Sequence, residues 1–400
     1  MGARIRLHIF AFAVAAIVVY AALAIIFHTW NPFTSFRREL PPSFDGDSAA
    51  LKSTQIVPTL DTPMKAGKNV VWCATFTAGW KELQEKVPTG PINLTDAAEV
   101  CARLNAAPDP APTMPAEAFY ANAGLIEDGI IATVSEDMRV KFGSGEVPDL
   151  GRISETNGFM FFSYLQAHVP FTLNYLDNTE SLQFTASDGA KTPIHSFGFR
   201  REDARHYRIK KQPKVLMVRW QEKPDTPGSN VIRPEWFALD LCRDSAPYQI
   251  VAARVPRQQT LAATIETLEH DLAAAGDLSN ESGQLDSVMQ APNISWQMKH
   301  HYRELEGHAF TNPELEGRVV GVARQDIQFQ LDKSGAKVKS RSLTGGETAP
   351  AAAAVVDGFI REHVYLFDEP FLLYIKMVNQ KMPFFVMWVD NAELLQHWDA

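Results

Sequence analysis

The chain holds only three cysteines, Cys73, Cys101 and Cys242, in 400 residues. They form no Cys-x-x-Cys and none stands at metal-ligand spacing from a histidine, which excludes a disulfide framework and the common zinc sites. One bridge, Cys73 to Cys101, is open to the chain in an oxidising compartment; buried free thiols are the other reading. Excess positive charge is also missing. The 38 basic residues are outnumbered by 47 acidic ones, for a formal charge of -9, and a nucleic-acid surface needs clustered Lys and Arg. The one dense basic stretch, "FRREDARHYRIKKQPK" (residues 199–214), reads as a solvated strand edge or loop. There is no Gly-x-Ser-x-Gly elbow, no phosphate-cradling Gly-rich loop and no His-Glu-x-x-His. Carboxylates such as Glu266, Glu269 and Asp271 decorate a helix face. An enzyme is therefore the weakest reading, and no cofactor or metal is implied.

What the chain does have is grease. Apolar residues make up 46% of it, enough for a sizeable core in one large domain or two medium ones. The run "IFAFAVAAIVVYAALAIIF" (Ile9–Phe27) carries no charge and follows Arg4 and Arg6. About twenty such residues span a bilayer as a helix. "ALA" at Ala22–Ala24 offers a cleavage site, but Ile25, Ile26 and Phe27 prolong the apolar run beyond a signal peptide's core. The reading is an uncleaved signal anchor. A cytoplasmic tail (1–8) then precedes a transmembrane helix (9–27), a tether (28–68) and an exported domain (69–400), extracellular or periplasmic, on a single-pass membrane protein. Arg37 and Arg38 beyond the span oppose this orientation, and Trp30 and Phe33 would lie at the headgroups.

Pro, Ser, Asp and Thr dominate the tether. "NAAPDPAPTMPAE" (Asn105–Glu117) has four prolines in thirteen residues and must run over the surface. "LTGGETAPAAAA" (Leu343–Ala354) is rich in Gly and Ala. Between these, "NVVWCATFTAGWKELQE" reads as a strand entering a helix and "DAAEVCARLN" as a helix. "GFMFFSYLQAHVPFTL" reads as a strand buried on both faces, and "KVLMVRW" and "YQIVAARV" as short strands. "QQTLAATIETLEHDLAAAG" spaces Leu261, Ile265, Leu268 and Leu272 at helical intervals and stops at Gly276. "PFLLYIKMV", "NQK" and "MPFFVMWV" form a fully covered hairpin. No repeat of fixed period occurs, and without a regular βαβ alternation the class is α+β.

In this order the pieces resemble a serpin. "VYLFDEPFLLYIKMVNQKMPFFVMWVDNAEL" is similar to the family's closing core hairpin. Asn157–Phe199 is similar to the stretch around its "NAIYFKGxWxxxF", and "FYANAGLIEDGIIATVSEDMRVKFG" to its "ANALF" strand and following helix. The likeness covers roughly residues 69–395 and implies a multi-sheet serpin-like domain with a buried C-terminal hairpin. Three departures stand out. "QAHV" (Gln166–Val169) replaces the Lys-Gly-x-Trp core. Only Gly143–Asn157 is available where the family places an extra helix across the main sheet. No counterpart of the family's first helix precedes Val70.

Inhibitory serpins hold an exposed loop that enters the main sheet as a new strand once a protease cuts it. The resemblance implies that "FQLDKSG" is the strand before the hinge of that loop. The hinge or reactive-loop region is then Gly335, Ala336, Lys337, Val338, Lys339, Ser340, Arg341 and Ser342. Inhibitors carry small uncharged residues there; this chain has Lys337, Lys339 and Arg341. The Ala-rich run Ala349–Ala354 lies too far downstream and contains Pro350, which lacks a ladder donor.

The alternation itself suggests a hairpin turning at "DKSG". Leu331 would face Ala336, Phe329 face Val338 and Ile327 face Ser340 on an apolar side. Gln330 would meet Lys337, Gln328 meet Lys339 and Asp326 meet Arg341 on a solvated one. A one-residue slip would bury lysines, so the register is well specified. A ribbon already in the sheet stores no strain. The expectation is a membrane-anchored, non-inhibitory serpin-like protein, used as a binding or structural module for a protein partner. The alternative is a serine or cysteine peptidase inhibitor working by loop insertion, in which Ala336, Val338, Ser340 and Ser342 would point inward.

His300, His301 and His308 read as a solvated or partly packed segment rather than metal ligands, because adjacent residues of a strand or helix point apart. Asn93, Asn280 and Asn293 match the glycosylation pattern. Trp388 and Trp398 read as closing the core.

Overall fold

A computed structural model describes residues 41–87, 90–150, 158–200, 207–220, 231–275, 288–338 and 362–398. The run Ile9–Phe27 lies outside them; among the described residues no helix is long and apolar enough to cross a membrane. In chain order the first half contains β1 (Phe44–Asp47), β2 (Thr54–Ile56), β3 (Asn69–Cys73), α1 (Ala74–Lys86), α2 (Ala98–Ala106), β4 (Phe119–Leu125), α3 (Ile130–Phe142), β5 (Gly158–Leu165), β6 (Ala167–Pro170), β7 (Leu176–Asp177), β8 (Leu182–Thr185), β9 (Lys191–Ile194) and β10 (Ser196–Phe199). The second half contains α4 (Tyr207–Lys210), β11 (Lys214–Trp220), β12 (Val231–Ile232), β13 (Pro234–Asp240), β14 (Tyr248–Arg254), α5 (Leu261–Ala275), β15 (Val288–Pro292), β16 (Ile294–His301), β17 (Val319–Asp332), β18 (Gly335–Val338), β19 (Glu362–Leu366), β20 (Phe371–Met377) and β21 (Phe385–Val389).

The strands assemble into two seven-stranded sheets, one five-stranded sheet and the small β8–β9 ribbon. One seven-stranded sheet runs β11-β13-β14-β20-β21-β3-β2. Its centre is the closing hairpin, with every residue of β21 buried and Phe371–Ile375 paired to Phe385–Val389. Near-continuous apolar runs are what a strand covered on both faces requires. The other seven-stranded sheet is the main one: β1, β16 and β17 lie side by side, and β17 then meets β18 and β6 at one end and β5 and β4 at the other.

Helices cover the main sheet unevenly. Phe76, Trp80 and Leu83 of α1 and Cys101 and Leu104 of α2 pack with Phe161, Tyr302 and Ala323 on its inner side. Ile130, Val134 and Met138 of α3 pack on Met160, Phe162 and Tyr164 of the outer side. The connection Gly143–Leu150 provides only a 3-10 turn, Ser144–Glu146, in place of the helix that the serpin resemblance would put there.

One expectation is corrected. The stretch assigned to the tether is folded from Phe44 on: β1 runs parallel to β16 and β2 parallel to β3. A backbone edge needs partners more than an apolar pattern, and four short residues, "FDGD", gave no periodicity to read. The chain's two ends are also stitched together. The Glu393 carboxylate accepts from Lys52 N (2.7 Å) and Ser53 N (2.9 Å) and from the Thr54 hydroxyl (2.7 Å). The Asn69 side-chain oxygen accepts from the amides of Asp390 and Asn391. Of the two readings left open for the cysteines, the structure shows buried free thiols: Cys73 and Cys101 lie in separate core clusters. Burial pushes the Cys73 thiol up to about 11.

Candidate functional site

The residues singled out as a hinge sit where β17 changes partner. Along Val319–Asp326 its neighbour is β5, in parallel, ending at Asp326 opposite Tyr164. From Gln330 on, its neighbour is β18: Gln330 opposite Lys337, Leu331 opposite Ala336, Asp332 opposite Gly335. Gln330 with Lys337 and Leu331 with Ala336 are the two expected pairs that the described residues show. β18 is held on its far side too, by β6, with Ala336 opposite Val169 and Lys337 opposite His168.

The apolar alternation accounts for this upper end. Ile327, Phe329, Leu331, Ala336 and Val169 share one buried face with at most 1% exposure. The turn is fixed by polar contacts: Asp332 Oδ1 accepts from Ser334 N (2.7 Å), and Lys333 Nζ reaches Asp177 (2.6 Å). The Ser334 and Lys333 carbonyls accept from Phe171 N and Tyr175 N, both at 2.9 Å. Gly335 has φ +134, and a Cβ there would lie 2.4 Å from the Val169 carbonyl oxygen and 2.8 Å from Phe171 N. Only glycine fits.

The other face departs from expectation. Lys337 keeps 8% exposure rather than standing in solvent, because β18 is flanked on both sides and Gln330 and His168 wall the lysine. His168 is lowered from its ordinary range by burial and then by the Lys337 charge. Lys339, Ser340, Arg341 and Ser342 lie outside the described residues. The pair expected between Asp326 and Arg341 has no place in the sheet as it stands. Asp326 is flanked by Lys299 on β16 and Tyr164 on β5, and its carboxylate takes two 2.7 Å bonds from Arg324 Nε and Nη2.

The lower end is closed by polar side chains on both faces. On the inner face Gln325, fully buried, donates from Nε2 to Thr75 Oγ1 (2.8 Å) and to the Cys73 carbonyl (3.2 Å). Its Oε1 accepts from the Tyr302 hydroxyl (2.8 Å). Thr75 in turn donates to Ser163 Oγ (3.3 Å), and Ser163 is the β5 residue opposite Gln325. On the outer face Arg324 Nη1 donates to the Asp149 carbonyl (2.7 Å) and the Tyr164 hydroxyl to Glu146 (2.8 Å). Burial and the Glu146 carboxylate both push the Tyr164 hydroxyl upward. A cleft of about 260 Å³ remains beside these groups, lined among others by Glu146, Asp149, Lys299, Asp326 and Gln328.

Asp326, Gln328 and Cys73 were singled out from the sequence for other partners; Gln325, Ser163, Thr75 and Arg324 were not, yet two of these left a mark there. Gln325 occupies the phase of Ile327, Phe329 and Leu331, and Ser163 interrupts the otherwise apolar "GFMFFSYL". A polar residue in a buried phase announces a hydrogen-bond partner. Elsewhere, His301 Nδ1 meets Glu306 (2.8 Å), and no metal-binding group of side chains occurs among the described residues. Trp388 is buried and donates to Asp390 (3.2 Å), while Trp398 stacks near His195. Asn93 is exposed, Asn293 is buried, and Asn280 lies outside the described residues.

No protein-family profile matches the sequence, and no curated protein matches it. Solved structures do. Human thyroxine-binding globulin in complex with thyroxine has 10% identity and a TM-score of 0.41, over 81% of this chain and 92% of that one. Serpin48 of the insect Tenebrio molitor has 8% identity and 0.37, over 80% and 96%. The thermophilic serpin Tengpin has 11% identity and 0.37, over 66% and 63%. This chain is similar to these three over 66% to 81% of its length.

Proposed function

We propose that the chain is a membrane-anchored, exported serpin-like protein that serves as a binding or structural module and does not trap proteases. The observation carrying this reading is the pairing of β17 with β5 along Val319–Asp326, up to Asp326 opposite Tyr164, below the ribbon that starts at Gln330 opposite Lys337. For a loop to travel further into the sheet, β17 and β5 must part. That breaks the Gln325–Thr75–Ser163 relay that links the two strands in the core, at roughly 1–3 kcal/mol for each group left unsatisfied. By strand alternation Lys339 and Arg341 would follow Lys337 onto the side already occupied by Arg324. The uncharged run Ile9–Phe27 behind Arg4 and Arg6 supports the anchor and the exported orientation; resistance to alkaline extraction, with the domain digestible from outside, is expected.

One observation favours peptidase inhibition as the second reading: Gly335 and Ala336 already lie within the sheet, so the start of an insertion exists. Two measurements separate the readings. The full-length protein is incubated with serine and cysteine proteases, and separately cut between Leu343 and Ala354 and melted. The module reading expects no complex surviving SDS and a melting temperature little changed by the cut. A covalent complex, or a rise above about 10 °C, which at this size is worth several kcal/mol, establishes the inhibitor instead.

A further inference from the structure

The segment Phe44–Ala50 is a strap on the edge of the main sheet. Its β1 part runs along β16 from Phe44 opposite Trp296 to Asp47 opposite Lys299. It ends in a 3-10 turn, Ser48–Ala50, where the Ser48 hydroxyl meets His300 Nδ1 at 2.7 Å. The other ring nitrogen, Nε2, is buried with no hydrogen-bond partner. The ring stands edge-on to Tyr302, centroids 4.4 Å apart at 89°, and Tyr302 is the residue that donates to Gln325 across the seam.

We propose that the strap Phe44–Ala50 is a proton-sensitive latch, docked while His300 is neutral and released when its imidazole takes up a proton. In the neutral ring Nδ1 and the Ser48 hydroxyl share one hydrogen bond, whose donor depends on the tautomer. A protonated ring still donates from Nδ1 to the Ser48 oxygen, so the conflict lies at Nε2: its N–H and the full charge of the ring are then buried with no acceptor. Release of the strap opens the ring to water, where the charged form is stable.

The surrounding charges do not remove this conflict. His301 and Arg303 face the ring from its own strand and the turn that follows, and oppose protonation; Asp47 of the strap and Glu306 of the turn favour it. The β17 residue opposite, Gln325, is uncharged. Burial outweighs the rest and holds His300 near 4, below its ordinary 6.5. A histidine lowered in the docked state binds fewer protons when docked. The latch is therefore at full strength above the ordinary value and weakens as pH falls toward the lowered one. Within that window the released fraction grows by up to about tenfold per pH unit.

Hydrogen–deuterium exchange of the full-length chain across the window tests this, with rates corrected for intrinsic pH dependence. Peptides covering 43–51 should lose protection by up to about tenfold per unit while 319–332 of β17 stay protected, and His300→Gln should make the strap's protection flat. Equal protection of the strap throughout, the same loss in His300→Gln, or loss from β17 together with the strap overturns the latch. Should His300→Gln not fold, the full-length chain itself decides. His300 should titrate below the ordinary 6.5 by NMR, with the strap losing protection over the same pH range, and protection lost over a different range rejects the proposal.

Discussion

The two ends of β17 are held by different physics. The upper end is a ribbon of Ile327, Phe329, Leu331 and Ala336, packed on an apolar core and set in register by alternation alone. The lower end is a seam against β5, where Gln325, Ser163 and Thr75 exchange hydrogen bonds beneath the sheet and Arg324 ties down its outer face. An apolar ribbon is specified by which face is greasy and tolerates exchange among similar side chains. A buried polar seam depends on every partner being present. The upper end should thus fail through shape, and the lower end through a single missing atom.

The largest effect is expected at Gly335. Gly335→Val forces a Cβ into the Val169 carbonyl at a positive φ and should cost about 3 kcal/mol or more. A melting scan should show it, and exchange protection should vanish first in 333–338. A change within about 0.5 kcal/mol would mean that the ribbon does not need its turn. Next comes Gln325→Leu, which takes the acceptor from the Tyr302 hydroxyl and a donor from the Thr75 hydroxyl, at about 2–3 kcal/mol. The seam above Cys73 should open more often, so this normally inert thiol should label faster. Unchanged labelling would show that apolar contacts alone close the lower end.

Asp326→Ala should cost about 2 kcal/mol, less than a fully buried pair because the carboxylate is partly exposed. It leaves Arg324, whose side chain is 7% exposed, with only the Asp149 carbonyl among the bonds described. The smallest effect is expected from Lys333→Met, which removes a half-exposed bridge to Asp177 worth about 0.5 kcal/mol. If chemical denaturation ranks Lys333 above Gln325, the division between the ends is mistaken.

The ribbon was legible in the sequence because it obeys a simple period: "DIQFQLDKSGAKV" carries its apolar phase, its turn and its register in consecutive residues. The closing hairpin and the strand-to-helix step at Asn69–Lys86 were legible for the same reason. The seam was not, since Gln325, Ser163, Thr75 and Tyr302 come from four separate stretches that only folding brings together. The same holds for β1, whose alternation is too short to register and whose partner, β16, lies some 250 residues later, as the 252-residue separation of Ser43 and Ser295 records. The pair between Asp326 and Arg341 was not to be read from alternation, which reports the face a residue takes and not the strand opposite it: Tyr164 of β5 takes the place opposite Asp326, and Arg341 lies outside the described residues.

The stitching of Lys52, Ser53, Thr54 and Asn69 to Asp390, Asn391 and Glu393 sets an order of events during synthesis. Ser53, Thr54 and Asn69 cannot take these partners before residues 390–393 have been synthesised.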